Sequence, residues 1–400
     1  MLEVNKKIFI ALFFSIFAAV TGVGIVVPLL PIYAHDLGAS GFYVAAIFGS
    51  FSLSRTIFLP YFGRLSDKKG RKLLIITGLF VYTIISITFL AAENVNHLII
   101  IRLLQGVGSA MIMPVSQAYI GDIAPPGKEG FVMGCFNLSA FMGLSLGPLI
   151  GGLLNDRFSI NASFLSMGAL AGIAFLVSLF WLPSAKNEKK ICRREKMPGS
   201  WNVLLRDRQV AGLFIYRFSY ASCIGIAWGF LPLLADLEFN LTSSVIGFLL
   251  MLGTAVSGVA HIPMGYMADR VDKRLMIVAG GLIAATGFFF FVRANNVNNL
   301  ILGNIIFGLG GGISTPAIMA EAITKGNSTN AMGSVMGLIT MAHSFGMFAG
   351  AFIAGIIMDF SSLNYAFFTG TCIMAGGVIL FYLSTLQKST FQKKHVSKKM

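Results

Sequence analysis

Twelve apolar runs of roughly twenty residues or more divide the chain, at 8–33, 43–63, 72–91, 98–120, 131–154, 162–182, 209–233, 243–265, 274–293, 298–321, 331–358 and 363–385. A run of that length, at about 1.5 Å per residue, crosses about 30 Å of hydrocarbon as a helix. Only a helix lets one lone segment satisfy all its backbone amides there. The pattern predicts an all-α membrane protein with twelve transmembrane helices. The first run follows Lys6 and Lys7 as a signal peptide would, but its apolar stretch reaches Leu30, so it reads as a retained helix.

The polar positions between the runs carry the second signal. With the N-terminus inside, the inner segments hold 25 of the 30 Lys and Arg. The outer loops hold only Arg157 and Arg293, while Arg55, Arg102 and Arg217 fall within predicted spans. The positive-inside rule therefore predicts a multi-pass protein of the cell (inner, cytoplasmic) membrane with both termini cytoplasmic. The longest polar segment, 183–208, separates the sixth run from the seventh and carries eight cations. It is read as a topological anchor on the membrane lipids.

Composition agrees. The 400 residues are 56% hydrophobic and 12% charged, with a mean hydropathy of +0.80, which suits a lipid environment rather than a soluble surface. A net charge of +14 would suit a nucleic-acid partner if it formed a basic face, but these cations sit in short loops, so none is expected. Cys135, Cys192, Cys223 and Cys372 are single and widely spaced, which indicates neither a metal site nor a disulfide framework. No cofactor is expected. There is no HExxH, no pair of intramembrane aspartates, no Ser/His pair at helical spacing and no nucleotide-binding loop, so an enzyme is not expected either.

The chain also repeats itself. GRLSDKKGRK at 63–72 has an echo 202 residues later in GYMADRVDKR at 265–274. Gly106, Gly108 and Pro114 match Gly308, Gly310 and Pro316 at the same offset, and Gly143, Gly147, Gly152 and Asp156 match Gly346, Gly350, Gly355 and Asp359 at 203. Gly24 and Pro31 match Gly225 and Pro232 at 201. Two pseudo-symmetric six-helix bundles are expected: 1–182 and 209–386, joined by the basic cytoplasmic linker 183–208 and followed by a basic cytoplasmic tail, 387–400. Such a duplicated layout places a binding site between the halves, opened alternately to each side.

These motifs resemble the major facilitator superfamily, and within it the twelve-helix drug:proton antiporter branch. Gly63, Asp67, Gly70, Arg71 and Lys72 are similar to the family's signature loop after the second helix. The second copy keeps Gly265, Asp269 and Arg270 but has Asp272 where the first has Gly70. Arg102, Gln105, Gly106 and Gly108 resemble the fourth-helix motif, and Gly143, Gly147, Pro148, Gly151 and Gly152 the fifth-helix motif associated with exporters. The resemblance implies a functional monomer that expels small organic molecules, using protons and alternating access. It also implies a latch in which Asp67 meets the start of the eleventh helix and Arg71 bridges to Asp122, with Gly63 allowing close approach and Asp269 as the repeated counterpart. An importer or facilitator of a neutral or anionic solute on the same fold is the alternative.

Charges within the spans suggest the cargo site. Arg102 and Gln105 share one helical face, and Arg217 lies beside Tyr216 and Tyr220 with Trp228 further along the same face. These six are the expected cavity residues, because an unpartnered arginine in hydrocarbon should face a cavity. Arginines with few acids point to a neutral, zwitterionic or anionic small-molecule substrate. The proton carrier is not evident, since the first span has no ionisable residue between Lys7 and His35. Glu321, His343 and Arg102 are the candidates, histidine because its intrinsic pKa lies near neutrality.

Overall fold

The computed structural model describes residues 6–124, 129–183, 207–268, 270–328 and 332–396, without the side chains of 67–68, 129–131, 327–328, 332–333 and 386–396. Among the described residues twelve helices are long and apolar enough to cross a membrane. They are α1 (Lys6–Asp36), α2 (Gly41–Lys69), α3 (Arg71–Thr88), α4 (Val95–Ile123), α5 (Glu129–Arg157), α6 (Ile160–Trp181), α7 (Arg208–Leu237), α8 (Ser243–Ala268), α9 (Lys273–Val292), α10 (Val297–Ser328), α11 (Met332–Phe360) and α12 (Leu363–Val396). A 3-10 turn, Phe89–Ala91, extends α3. Each helix coincides with one apolar run and overshoots it mainly where the flanking residues are polar. The last, α12, continues well past its apolar part, which ends at Thr385.

The helix boundaries follow local chemistry. Asn94 caps α4 by accepting the His97 amide at 3.0 Å, and its repeat mate Asn296 accepts the Asn299 amide at 3.0 Å. The turn between α2 and α3 is made by Gly70 at φ 96°, a region costly for any residue with a Cβ. The second copy turns differently, which explains its departure. Asp272 keeps a negative φ and caps α9 with its own carboxylate, accepting the Arg274 amide at 2.8 Å.

The chain packs as two compact units, Met1–Glu195 with Trp228–Thr254, and Lys196–Ala227 with Ala255–Met400. The packing units thus divide α7 and α8, whereas the sequence repeat keeps them whole. In the first unit the glycine stripe of α5 lies directly on α1. A Cβ at Gly147 would stand 2.6 Å from the Thr21 carbonyl oxygen, and one at Gly151 2.4 Å from that of Ile25. No side chain fits between those backbones. The second unit repeats the arrangement, with Gly346 and Gly350 of α11 against the carbonyls of Phe218 and Ser222 on α7. The duplication therefore reproduces a helix pairing as well as a motif.

Each unit has its own core. In the first, Ile16, Leu79, Tyr82, Ile112, Val115 and Phe136 belong to one cluster of buried residues. A Ser15–Ser178 hydroxyl pair at 2.7 Å ties α1 to α6. In the second, Phe288 and Phe291 are buried against Phe307 and Phe367, while Phe289, turned about 100° around the helix, is exposed where lipid would lie.

Candidate functional site

The most unusual side chain of the first unit is Arg102, on α4. It is 2% exposed and stands among apolar helices. Its Nη1 donates to Gln105 Oε1 at 2.6 Å, a pairing set by their i, i+3 spacing. Its guanidinium lies 4.5 Å from the Phe51 ring centre and 5.4 Å from that of Phe48, both on α2. These are cation–π distances. Gln105 in turn donates from Nε2 toward Met167 Sδ at 3.6 Å. Among the described residues no carboxylate takes part, and Arg102 Nε and the Tyr82 hydroxyl are buried without a hydrogen-bond partner. Arg55 is placed similarly, its Nη2 donating to Met113 Sδ at 3.2 Å and its Nε unsatisfied. Gly106 brings α2 and α4 together, since a Cβ there would lie 2.4 Å from the Phe51 carbonyl oxygen.

Tyr216, Arg217 and Tyr220 gather in the second unit. Tyr216 is fully buried, its ring against Gly281 of α9. Tyr220 stacks on Phe307 with ring centres 5.3 Å apart, and its hydroxyl occupies the space that a Cβ on Gly311 would need. Arg217 Nε is buried without a hydrogen-bond partner. Trp228 belongs instead to the first unit. There it lines a narrow crevice with Gly24, Val27, Leu144, Pro148, Leu250 and Thr254. The fifth-helix motif thus has two faces, with Gly147 and Gly151 against α1 and Pro148 at the crevice wall.

Each unit holds a charged clasp. Arg71 Nε donates to Asp122 Oδ2 at 2.5 Å, and Nη1 donates to Ser66 Oγ at 3.0 Å. Lys72 Nζ donates to the terminal carbonyls of α6, Leu179 at 2.8 Å and Leu182 at 2.5 Å, where a cation is favoured. In the second unit Lys325 pairs with Asp207, whose Oδ1 also accepts the Gln209 amide at 3.0 Å. Partial burial pushes the Asp207 carboxyl up, but the hydrogen bond and charge of Lys325, with the amides of residues 209 and 210, bring it below the usual carboxylate range overall. Gln209 Nε2 donates to Glu321 Oε1. The side chains of Asp67 and Asp269 lie outside the described residues, and the Gly63 position is open, with nothing within 4 Å of a Cβ built there. His343 is half-buried on α11, and His261 Nδ1 lies 2.6 Å from the Ser257 carbonyl oxygen. Among the described residues no group of three or more His, Cys, Asp or Glu could hold a metal ion.

Sequence spacing disclosed Gln105 beside Arg102 but not the aromatic and sulfur partners of the intramembrane arginines. Phe48, Phe51 and Met113 come from other turns or other helices, and aromatic and methionine residues are too common in this chain to single out.

The Major Facilitator Superfamily profile matches residues 12–237 and again 213–399. An uncharacterized MFS-type transporter of Methanocaldococcus jannaschii is 30% identical over 89% of this chain and 92% of its own length. Multidrug resistance protein 2 of Bacillus subtilis is 26% identical over 93% and 94% respectively. The quinolone resistance protein NorA of Staphylococcus aureus is 25% identical over 98% and 100%. Among solved structures, a bacterial homolog of the human lysosomal transporter Spinster superposes with a TM-score of 0.81 at 12% identity, covering 96% of this chain and 97% of that one. The nucleoside transporter NupG gives 0.79 at 12%, covering 95% and 99%. Twelve spanning helices, a duplicated α1–α5 pairing and relatives matched almost end to end lead to one conclusion: the chain belongs to the major facilitator superfamily of membrane transporters.

Proposed function

We propose that the protein exports small organic molecules across the cell membrane, exchanging them for protons by alternating access. Relatives named for multidrug and quinolone resistance, matched over more than nine-tenths of the chain, support the export direction. In this reading the bundles 1–182 and 209–386 move about the linker 183–208, both termini face the cytoplasm and the protein works as a monomer.

The cargo class follows from one observation. Arg102 is enclosed by Phe48, Phe51 and Gln105 with no carboxylate beside it among the described residues. A central charge in a helix costs about 2.5–3.5 kcal/mol on insertion scales, which is hard to reconcile with packing alone. An anionic, zwitterionic or neutral aromatic solute would offset that cost; a lipophilic cation would add to it. Arg102, Gln105, Tyr216, Arg217, Tyr220 and Trp228 are the proposed contacts. Asp67, Gly63, Arg71, Asp122 and Asp269 are the proposed gating set, and Glu321, His343 and Arg102 the proton-coupling set. Gln209 already gives Glu321 a hydrogen-bond donor.

A second reading, uptake or facilitation on the same scaffold, is supported by the fold likeness to a nucleoside transporter, because fold fixes neither direction nor coupling. Purified protein in vesicles, offered organic anions, zwitterions and cationic dyes with and without an imposed pH difference, separates the readings. Proton-driven accumulation of anions or zwitterions is expected. Movement of cationic dyes alone would overturn the cargo assignment, and movement indifferent to the pH gradient would overturn the coupling.

A further inference from the structure

The C-terminal end of α5 and the N-terminal end of α8 meet within the first compact unit through a network that the proposed mechanism does not yet use. The Asp156 carboxylate accepts the Ser243 amide through Oδ1 at 3.1 Å and the Ser244 amide through Oδ2 at 2.8 Å. Beside it, Asn155 Nδ2 donates to Ser243 Oγ at 2.9 Å. These are the opening amides of α8, which have no acceptor inside their own helix and carry its positive partial charge. A carboxylate from another helix therefore supplies the cap.

Two glycines permit the approach. A Cβ on Gly152 would lie 2.1 Å from the Ser243 carbonyl oxygen, and one on Gly247 2.2 Å from that of Pro148. Two to three turns along the same two helices, Leu144 and Pro148 on α5 and Leu250 and Thr254 on α8 line the Trp228 crevice. The carboxylate contact thus lies on the same α5–α8 seam as that crevice, about two turns further toward the helix ends. Opening the crevice toward this end requires α5 and α8 to part.

We propose that Asp156 is a gating residue: its carboxylate latches α5 to the first amides of α8 and holds the Trp228 crevice shut at that end, and the latch opens once per transport cycle. Because Asp156 is exposed, the amide bonds it gives up are exchanged for water, which suits a contact broken repeatedly. The inference rests on the transporter reading, but its test needs no cargo.

The test uses full-length protein in membrane vesicles with Cys135, Cys192, Cys223 and Cys372 replaced and a single cysteine placed at Thr254. A membrane-impermeant maleimide is added on the side where the α7–α8 loop emerges. Asp156→Ala should raise the labelling rate at least about tenfold; Asp156→Asn, which keeps one acceptor but no charge, should raise it less. A cysteine at the exposed Glu93, in the turn between α3 and α4 on the same side of the membrane, should react at an unchanged rate and so report intact folding. Unchanged labelling at Thr254 in both variants would overturn the latch, as would a parallel rise at Glu93, which marks general loosening. If labelling rises while no solute moves in the panel above, the latch stands and the export reading falls.

Discussion

Replacing Arg102 with methionine separates function from stability. The substitution removes the bond to Gln105, worth about 1.5–3 kcal/mol for a charged donor, and the contacts with Phe51 and Phe48, worth about 2 kcal/mol when desolvated. It also relieves the insertion cost of a buried guanidinium, about 2.5–3.5 kcal/mol, and methionine fills the same elongated space beside Phe48 and Phe51. Losses and gain nearly cancel. Arg102→Met should therefore stay within about 2 kcal/mol of the parent protein, by the balance of those three terms. Transport of an anionic solute should nevertheless fall at least about a hundredfold, as expected for the loss of a buried charge pairing with its ligand. The assays are thermal unfolding of detergent-purified protein and uptake into vesicles. A large drop in melting temperature would show that Arg102 is retained for packing. Unimpaired transport of the anion would remove Arg102 from the cargo site.

Other consequences are equally direct. Gly151→Ala forces a methyl group into the Ile25 backbone and should cost about 1–3 kcal/mol, whereas Gly134→Ala, which meets nothing within 4 Å, should be neutral; comparable melting temperatures for the two would contradict the α1–α5 packing. Arg71→Ala, Asp122→Ala and the double variant should give a coupling above about 1 kcal/mol in thermal unfolding, because each single change breaks a partly buried, hydrogen-bonded ion pair; additive losses would mean that the pair is incidental. The Asp207 carboxyl is held below its unfolded value of about 3.9, so its contribution is complete above about pH 4 and is lost as pH falls through the lower folded value. Melting temperature should stay flat from neutrality to mildly acid pH and then decline, with a smaller decline in Asp207→Asn; identical acid limbs would exclude the Asp207–Lys325 clasp as a source.

Much of the architecture was legible from the chain because the bilayer imposes it. A run such as 162–182 has no alternative in hydrocarbon but to close its own hydrogen bonds, so length and apolarity suffice to mark a helix. The duplication was legible too, and the glycines at i, i+4 and i+8 of α5 announced a bare stripe before its partner was known. Family resemblance pointed to the Arg71 and Asp122 pairing, which the geometry realises at 2.5 Å.

What the chain alone determined, then, was the set of helices, their repeat and the residues too costly to leave in lipid without a reason. What only the tertiary structure decided was who meets whom. Spacing put Arg102 beside Gln105, but the Phe48 and Phe51 rings arrive from α2. Asp156 looked like no more than the repeat mate of Asp359 until the start of α8 was seen against it. The physical reason is that helix formation in a membrane is enforced locally, by backbone hydrogen bonds four residues apart. Contacts between helices depend instead on which small residues allow two backbones within a few ångströms, a property of pairs of surfaces that no single segment contains.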